Sequence, residues 1–246
     1  MTDQVMFSTL LAARTYREER LDRFGGSIIQ YLPFGETTGT TAYDVPPRGR
    51  STARNGTYST ITLAQAGVGG HTSCYNAGTG YIDAYGAGLV AAFSGAEGTI
   101  GGWWKIDAVG TWNDATARRI FTFSADASNR VYLTKQTTQH VLTWTYSAGT
   151  ATQTVNLTTA DPVGWVHLFI TWSKPNNRMR AFYNGAQTGT NQTGLEVWVG
   201  SLAATTTVYG AASKTPAAVN KGYMAEWLVL NREATPSEIA ADYKLP

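Results

Sequence analysis

"WVHLFITWSKPNNRMRAFYNGAQTGT" (residues 165–190) decides the fold. Val166, Leu168 and Ile170 alternate with Trp165, His167, Phe169 and Thr171, so bulky groups stand on both faces and the strand belongs inside a sheet rather than at its edge. "SKPNNR" (173–178) turns the chain, with Pro175 and two Asn residues supplying the turn conformation. A second strand then runs into Tyr183-Asn184-Gly185, where Asn-Gly favours a type I′ hairpin. These features are scaffold, and they leave any binding to the loops and the N-terminal arm.

The pattern continues outward. From Ser27 on, short β-rich segments recur with turn residues between them: "IIQYLPF" (28–34), "GTYST" (56–60), "GYIDAY" (80–85), "GTIGGWWKI" (98–106), "RIFTFSA" (119–125), "RVYLTKQ" (130–136), "HVLTWTY" (140–146), "TQTVNLT" (152–158), "TTVYGAA" (206–212) and "KGYMAEWLVLN" (221–231). Strands without intervening helices predict an all-β antiparallel sandwich of two sheets around one core. Val131 and Leu133, then Val141, Trp144 and Tyr146, supply apolar groups for it.

Both ends predict helices. Residues 4–23 place Met6, Leu10, Ala13, Leu21 and Phe24 roughly on one stripe, and Gly25-Gly26 stops the run. Such a helix either packs on its own domain or forms an arm (1–26) that docks on a partner, preceding a sandwich over 27–246. At the other end Thr235 can cap, Pro236 suits the first helical position and Glu238 completes a capping box, with Ile239 and Tyr243 on one face.

Composition excludes several classes. A net charge of +2 with scattered basic residues gives no nucleic-acid footprint. No run approaches the roughly 20 apolar residues of a membrane span. Asp3 precedes the short N-terminal apolar run and arginines follow it, the reverse of a signal peptide, so the expectation is a soluble chain without a membrane partner. Cys74 is the single cysteine and reads as a small buried hydrophobe.

The order of features resembles the concanavalin A-like, laminin G-type jelly rolls, of the variety found in bacteriophage structural proteins and bacterial surface proteins. The resemblance runs from about 28 to 244 and is carried by "YLPFGETTGTTAYD" (31–44), "RNGTYSTITLAQAGVGG" (54–70), "YIDAYGAGLVAAFSGAEGTIGGWWK" (81–105), the opening hairpin, and "MAEWLVLNREATPSEIAADY" (224–243). It implies a jelly-roll sandwich with an N-terminal helical arm and a short C-terminal helix. For function it implies a non-enzymatic virion structural protein, a capsid decoration or tail-associated subunit assembled in the host cytoplasm. Its partners would be phage capsid or tail proteins and copies of itself, trimers included. The alternative is a carbohydrate-binding module of a bacterial surface or secreted protein.

The chain departs from the family in ways that bear on chemistry. "YNAGTGYI" (75–82) stands where "FDGxDDYV" is usual, so carboxylates that could bind calcium are missing; Asp44 and Asp83 lie far apart, and no metal or other cofactor is expected. "VPPRGRSTARNG" (45–56) is longer and more basic than usual. Glu97, Glu196 and Glu226 each stand without the partner a glycosidase requires, and His71, His140 and His167 lie in no catalytic motif, so no catalytic residue is expected. Of the eight Trp, Trp103, Trp165, Trp172 and Trp227 lie inside strands and predict core positions, whereas Trp198 and Trp112 lie in irregular segments. Trp112 with Asn113 and Asp114 is the candidate ligand site, a ring to stack on a sugar with polar groups beside it.

Overall fold

A computed structural model describes residues 15–138, 140–159 and 164–244. In chain order the elements are α1 (Tyr16–Phe24), β1 (Ile28–Leu32), β2 (Thr41–Ala42), β3 (Gly56–Ser59), β4 (Thr62–Ala66), β5 (Thr72–Ala77), β6 (Tyr81–Asp83), α2 (Ala87–Ala92), β7 (Glu97–Ile106), α3 (Val109–Asn113), β8 (Arg118–Ser124), β9 (Arg130–Lys135), β10 (Val141–Ala148), β11 (Ala151–Thr158), β12 (Val166–Ser173), β13 (Arg178–Tyr183), β14 (Ala186–Gln192), β15 (Val208–Tyr209), β16 (Lys221–Leu230) and α4 (Pro236–Tyr243). Two antiparallel sheets result. One runs β14-β13-β12-β7-β16-β5-β4, with β1 also on β16; the other runs β11-β10-β9-β8-β15-β6-β3-β2.

The deciding hairpin sits in the first sheet as its pattern requires. Every residue of β12 is buried, and the strand pairs with β13 on one side and β7 on the other. Asn184 (φ 49°) and Gly185 (φ 78°) make the two-residue turn between β13 and β14. A Cβ on Gly185 would also lie 2.7 Å from Tyr243 Cβ, so α4 closes over this turn.

Between the sheets the core is aromatic. Phe121, Phe123, Leu133, Trp144 and Tyr146 from the second sheet meet Ile100, Trp104, Ile170, Trp172 and Trp227 from the first. Trp172 lies on Gly98, where a Cβ would come within 2.4 Å of its ring, and its Nε1 donates to the Gly95 carbonyl at 3.0 Å. Trp103 and Trp165 are the exceptions among the expected core tryptophans. Alternation turns them to the outer side of the first sheet, where Trp103 packs in a separate cluster with Tyr16 and Ala225, and Trp165 stays half-buried against it.

That outer side also receives both helices. Thr15 and Thr235 each form a capping box with the Glu three residues on. Arg20 of α1 is fully buried and donates to both carboxylate oxygens of Asp242 on α4, at 2.8 and 2.9 Å. His167 Nε2 lies 3.0 Å from the same carboxylate. Trp103 Nε1 donates to the Tyr16 hydroxyl at 2.7 Å, and Glu226, at a bulge in β16 with φ 57°, accepts from Tyr31 and Arg17. Of the two fates open to the N-terminal helix, its described part, 16–24, packs on its own sandwich; Met6, Leu10 and Ala13 fall outside the described residues.

Several elements differ from the sequence expectation. β4 and β5 lie outside the segments that the sequence marks as strands; "TLAQA" in β4 is too exposed and too weakly alternating to register as one. Two helical turns, α2 and α3, interrupt the strands. No described helix is long and apolar enough to cross a membrane.

Candidate functional site

Trp112 turns inward from α3. Its indole is fully buried, 6.3 Å from Trp104 between ring centroids, and offers no face to a sugar. The stacking role expected of it is therefore not available in this arrangement, since a short helical turn inverts the side chain that an irregular loop would expose. Asn113 is half-buried beside it. Asp114 is occupied: it pairs with Arg118 and, at 2.7 Å, with the buried Lys135 Nζ. Burial alone would raise its carboxyl, but the hydrogen bonds from Lys135 and Arg118 outweigh that and hold it down at about 2, against an ordinary 3.8.

A folded pKa below the unfolded one means stability that is present above pH 3.8 and lost as pH falls toward 2. In Asp114→Asn this contribution is already gone. The gap in urea midpoint between wild type and Asp114→Asn should be widest above pH 4 and close between pH 3.8 and 2; a gap that stays constant with pH would refute the pairing.

The remaining acids of interest are also engaged. Asp44 accepts from the Tyr31 and Arg54 amides, each at 2.8 Å, and pairs with Arg50, while Asp83 pairs with Lys214. Among the described residues no three His, Cys, Asp or Glu gather as a metal site.

The exposed chemistry lies on the outer face of the second sheet. Cross-strand register sets three rows over β8, β9, β10 and β11: Ser124–Arg130–Ser147–Thr152, Thr122–Tyr132–Thr145–Thr154, and Arg119–Thr134–Thr143–Asn156. Side chains directly opposite on one face are neighbours. Hydroxyls dominate, and Thr122, Ser124, Thr134, Thr143, Thr145 and Ser147 are recessed as a floor. Ser147 and Thr152 hydrogen-bond at 3.0 Å, and Thr143 donates to Asn156 Oδ1 at 2.7 Å.

Above this floor stands Tyr132, with the Arg119 guanidinium 3.4 Å and the Arg130 guanidinium 5.2 Å from its ring centre. Burial would raise the Tyr132 phenol, but Thr145 and the two cations together bring it below its ordinary value. The segment 203–212 walls one side, tied on by Ala203 N to Ser124 O (2.8 Å) and Thr122 Oγ1 to Ala211 O (3.1 Å). A pocket of about 360 Å³ opens between wall and rows, and another of about 330 Å³ lies farther along the same face, by Thr143 and Asn156. The first is the size of small-ligand sites.

A second aromatic row, Tyr75, Tyr223 and Trp165, lies half-buried on the first sheet. Lys105 Nζ already covers Tyr223 at 4.1 Å and Trp165 at 5.5 Å, so those ring faces are taken.

The alternation of Val131 and Leu133 was legible in "RVYLTKQ" and already implies that Arg130, Tyr132 and Thr134 share the opposite face. That Arg119 joins them depends on the register and on the bulge between Arg119 and Phe121.

Known structures share this architecture at low identity. Domain 4 of AbnA, an extracellular arabinanase from Geobacillus stearothermophilus in complex with arabinotriose, matches with a TM-score of 0.61 and 16% identity, over 89% of this chain and 98% of that one. The botulinum neurotoxin serotype D binding domain matches at 0.65 and 12%, over 92% of this chain and 52% of its own. Trypanosoma rangeli sialidase in complex with sialic acid matches at 0.64 and 12%, over 93% and 37%. The chain thus spans the whole of the arabinanase domain but about half of the toxin domain and little more than a third of the sialidase. No curated protein matches it in sequence. The family model described as the concanavalin A-like lectin/glucanases superfamily matches residues 76–240, from the end of β5 into α4, and the chain belongs to that family.

Proposed function

We propose that this chain is a glycan-binding module that holds its ligand on the outer face of the second sheet, across Tyr132, Thr145, Thr154 and Asn156. The observation that carries the reading is the three-row face itself: hydroxyls, an amide and a phenol, exposed at Thr152, Thr154 and Asn156, half-buried at Tyr132 and recessed beneath, beside a pocket of sugar size. Sugars are bound by such convergent donors and acceptors; with the Arg119 guanidinium over its ring, Tyr132 contributes its hydroxyl rather than a stacking face. The arabinanase domain, with arabinotriose in its structure, supports the same reading. We propose binding without catalysis, because these twelve positions include no Asp, Glu or His to serve as acid or nucleophile.

Thr154 is exposed, so Thr154→Trp would fill the face without entering the core. On a glycan array the wild type should mark a defined set of sugars, and Thr154→Trp should lose them while its urea midpoint moves by no more than about 0.5 kcal/mol equivalent. A blank array for the wild type would overturn the proposal, as would an identical pattern for the variant.

The virion setting is a second proposal, supported by the resemblance of the five quoted motifs to phage structural sandwiches. It is compatible with the first, since a particle-borne subunit could use the open face for adhesion and dock through the opposite side. Mass spectrometry of gradient-purified particles from the source culture should then find the chain. Its absence from particles would remove this setting and leave glycan binding standing.

A further inference from the structure

We infer that the sugar held at this face is an acidic one, its carboxylate or sulfate received by Arg119 and Arg130; the inference rests on the glycan-binding reading above.

The two guanidinium groups are anomalous in this molecule. Arg20, Arg50, Arg178 and Arg232 are each paired with a carboxylate. Arg119 and Arg130 flank one tyrosine in one pocket, and among the described residues neither is ion-paired. Arg119 Nη1 and Arg130 Nε are buried and lack any hydrogen-bond partner, as does the hydroxyl of Thr134, opposite Arg119 in its row. Two like charges held this close with unmet donors are unfavourable unless an anion joins them.

The one carboxylate lining the pocket does not serve. Asp126 spends its oxygens on its own turn, accepting from the Ser128 and Asn129 amides at 2.7 and 2.8 Å and from Asn129 Nδ2 at 3.0 and 3.1 Å. The other arginine-lined pocket, beside Ile29, by contrast holds its own counter-charge: Arg50 and Arg54 donate to the Ile29 carbonyl, and Asp44 pairs with Arg50. Arg23, Arg50, Arg118 and Arg180 each keep one unpartnered buried nitrogen too, but each has a carboxylate beside it. Among the described residues Arg119 and Arg130 alone combine an unmet buried donor with no carboxylate, and such planar donors suit a carboxylate or sulfate.

The rows extend the site. Thr145 and Thr154 continue past Tyr132 as neutral acceptors and donors, so one anionic group can anchor at the arginines while the sugar ring and its neighbours lie along the hydroxyls.

The experiment is affinity electrophoresis of the full chain in gels carrying polygalacturonate, dextran sulfate or neutral dextran. Wild type should be retarded by an acidic polymer and not by dextran, less so as salt rises. Retardation by polygalacturonate assigns a carboxylate, and by dextran sulfate a sulfate. Arg130→Gln, at the pocket rim, and Arg119→Gln should each weaken that binding roughly ten-fold or more. Arg48→Gln, in the basic loop, should leave it unchanged. Arg130 lies half-buried on the outer face of the second sheet, opposite Ser124 and Ser147, so its variant keeps the test open if Arg119→Gln unfolds. Retention that survives Arg130→Gln, or that falls equally with Arg48→Gln, would overturn the inference. Binding confined to neutral glycans and lost in Thr154→Trp would overturn it too, while sparing the glycan-binding reading. Failure to bind any glycan would remove both.

Discussion

Asp242→Asn should lower the stability of this protein by roughly 3–5 kcal/mol, because it leaves the guanidinium of Arg20 buried without its counter-charge. Both side chains are fully buried, and no water can replace the lost carboxylate. The loss should be local in its first effect: hydrogen exchange should speed up in α1 and α4 before the sheets open. The double variant Arg20→Met/Asp242→Leu should recover most of the loss, since an apolar pair removes the penalty along with the attraction. Urea unfolding measures both, and a single variant within 1 kcal/mol of wild type would refute the role given to the pair.

The same cluster sets a pH dependence. Burial holds His167 below its ordinary 6.5, with Asp242 offsetting only part of the effect. As pH falls below 6.5 the unfolded histidine gains a proton that the folded one resists, so stability declines. Burial would raise Asp242, but Arg20 and His167 outweigh it and hold the carboxyl below 3.8, so a second decline follows as pH falls through its folded value. Asp242→Asn should shrink this second step to the part that Asp114 contributes.

Trp172→Ala should cost a comparable amount, roughly 3–5 kcal/mol. The ring is fully buried, stacks on Tyr146 at 5.9 Å, meets Phe93 at 5.9 Å and fills the space that Gly98 leaves. The Gly95 carbonyl would keep its second donor, the Tyr146 hydroxyl at 2.8 Å, so cavity and lost contact dominate. Glycan affinity measured at low temperature, where the variant is still folded, should be unchanged, because Trp172 faces the interior. An unaltered urea midpoint, or lost affinity at full stability, would contradict the assignment of this hairpin to scaffold.

Those two residues mark what the sequence made legible. The β12–β13–β14 unit could be read from its own residues, because apolar alternation and Asn-Gly act locally. The terminal helix was equally legible from Thr235, Pro236 and Glu238. The Arg20–Asp242–His167 cluster was not, since its members are brought together only by the packing of three distant elements. Trp112 misled for a related reason: a Trp between Gly110-Thr111 and Asn113-Asp114 reads as a loop, and only tertiary packing turns the ring inward. The candidate face lay between these cases. Its β9 members follow from alternation, whereas the approach of Arg119 to Tyr132 is set by register and a bulge.

The link between Arg20 and Asp242 spans 222 residues. A ribosome makes the arginine before any strand of either sheet exists and the aspartate after the last of them. Until then α1 carries a charge without its partner, so this ion pair can close only after α4 has been made. Chains cut short within α4 would hold a nearly complete sandwich with one cation unanswered, a form that quality-control proteases could distinguish from the finished protein.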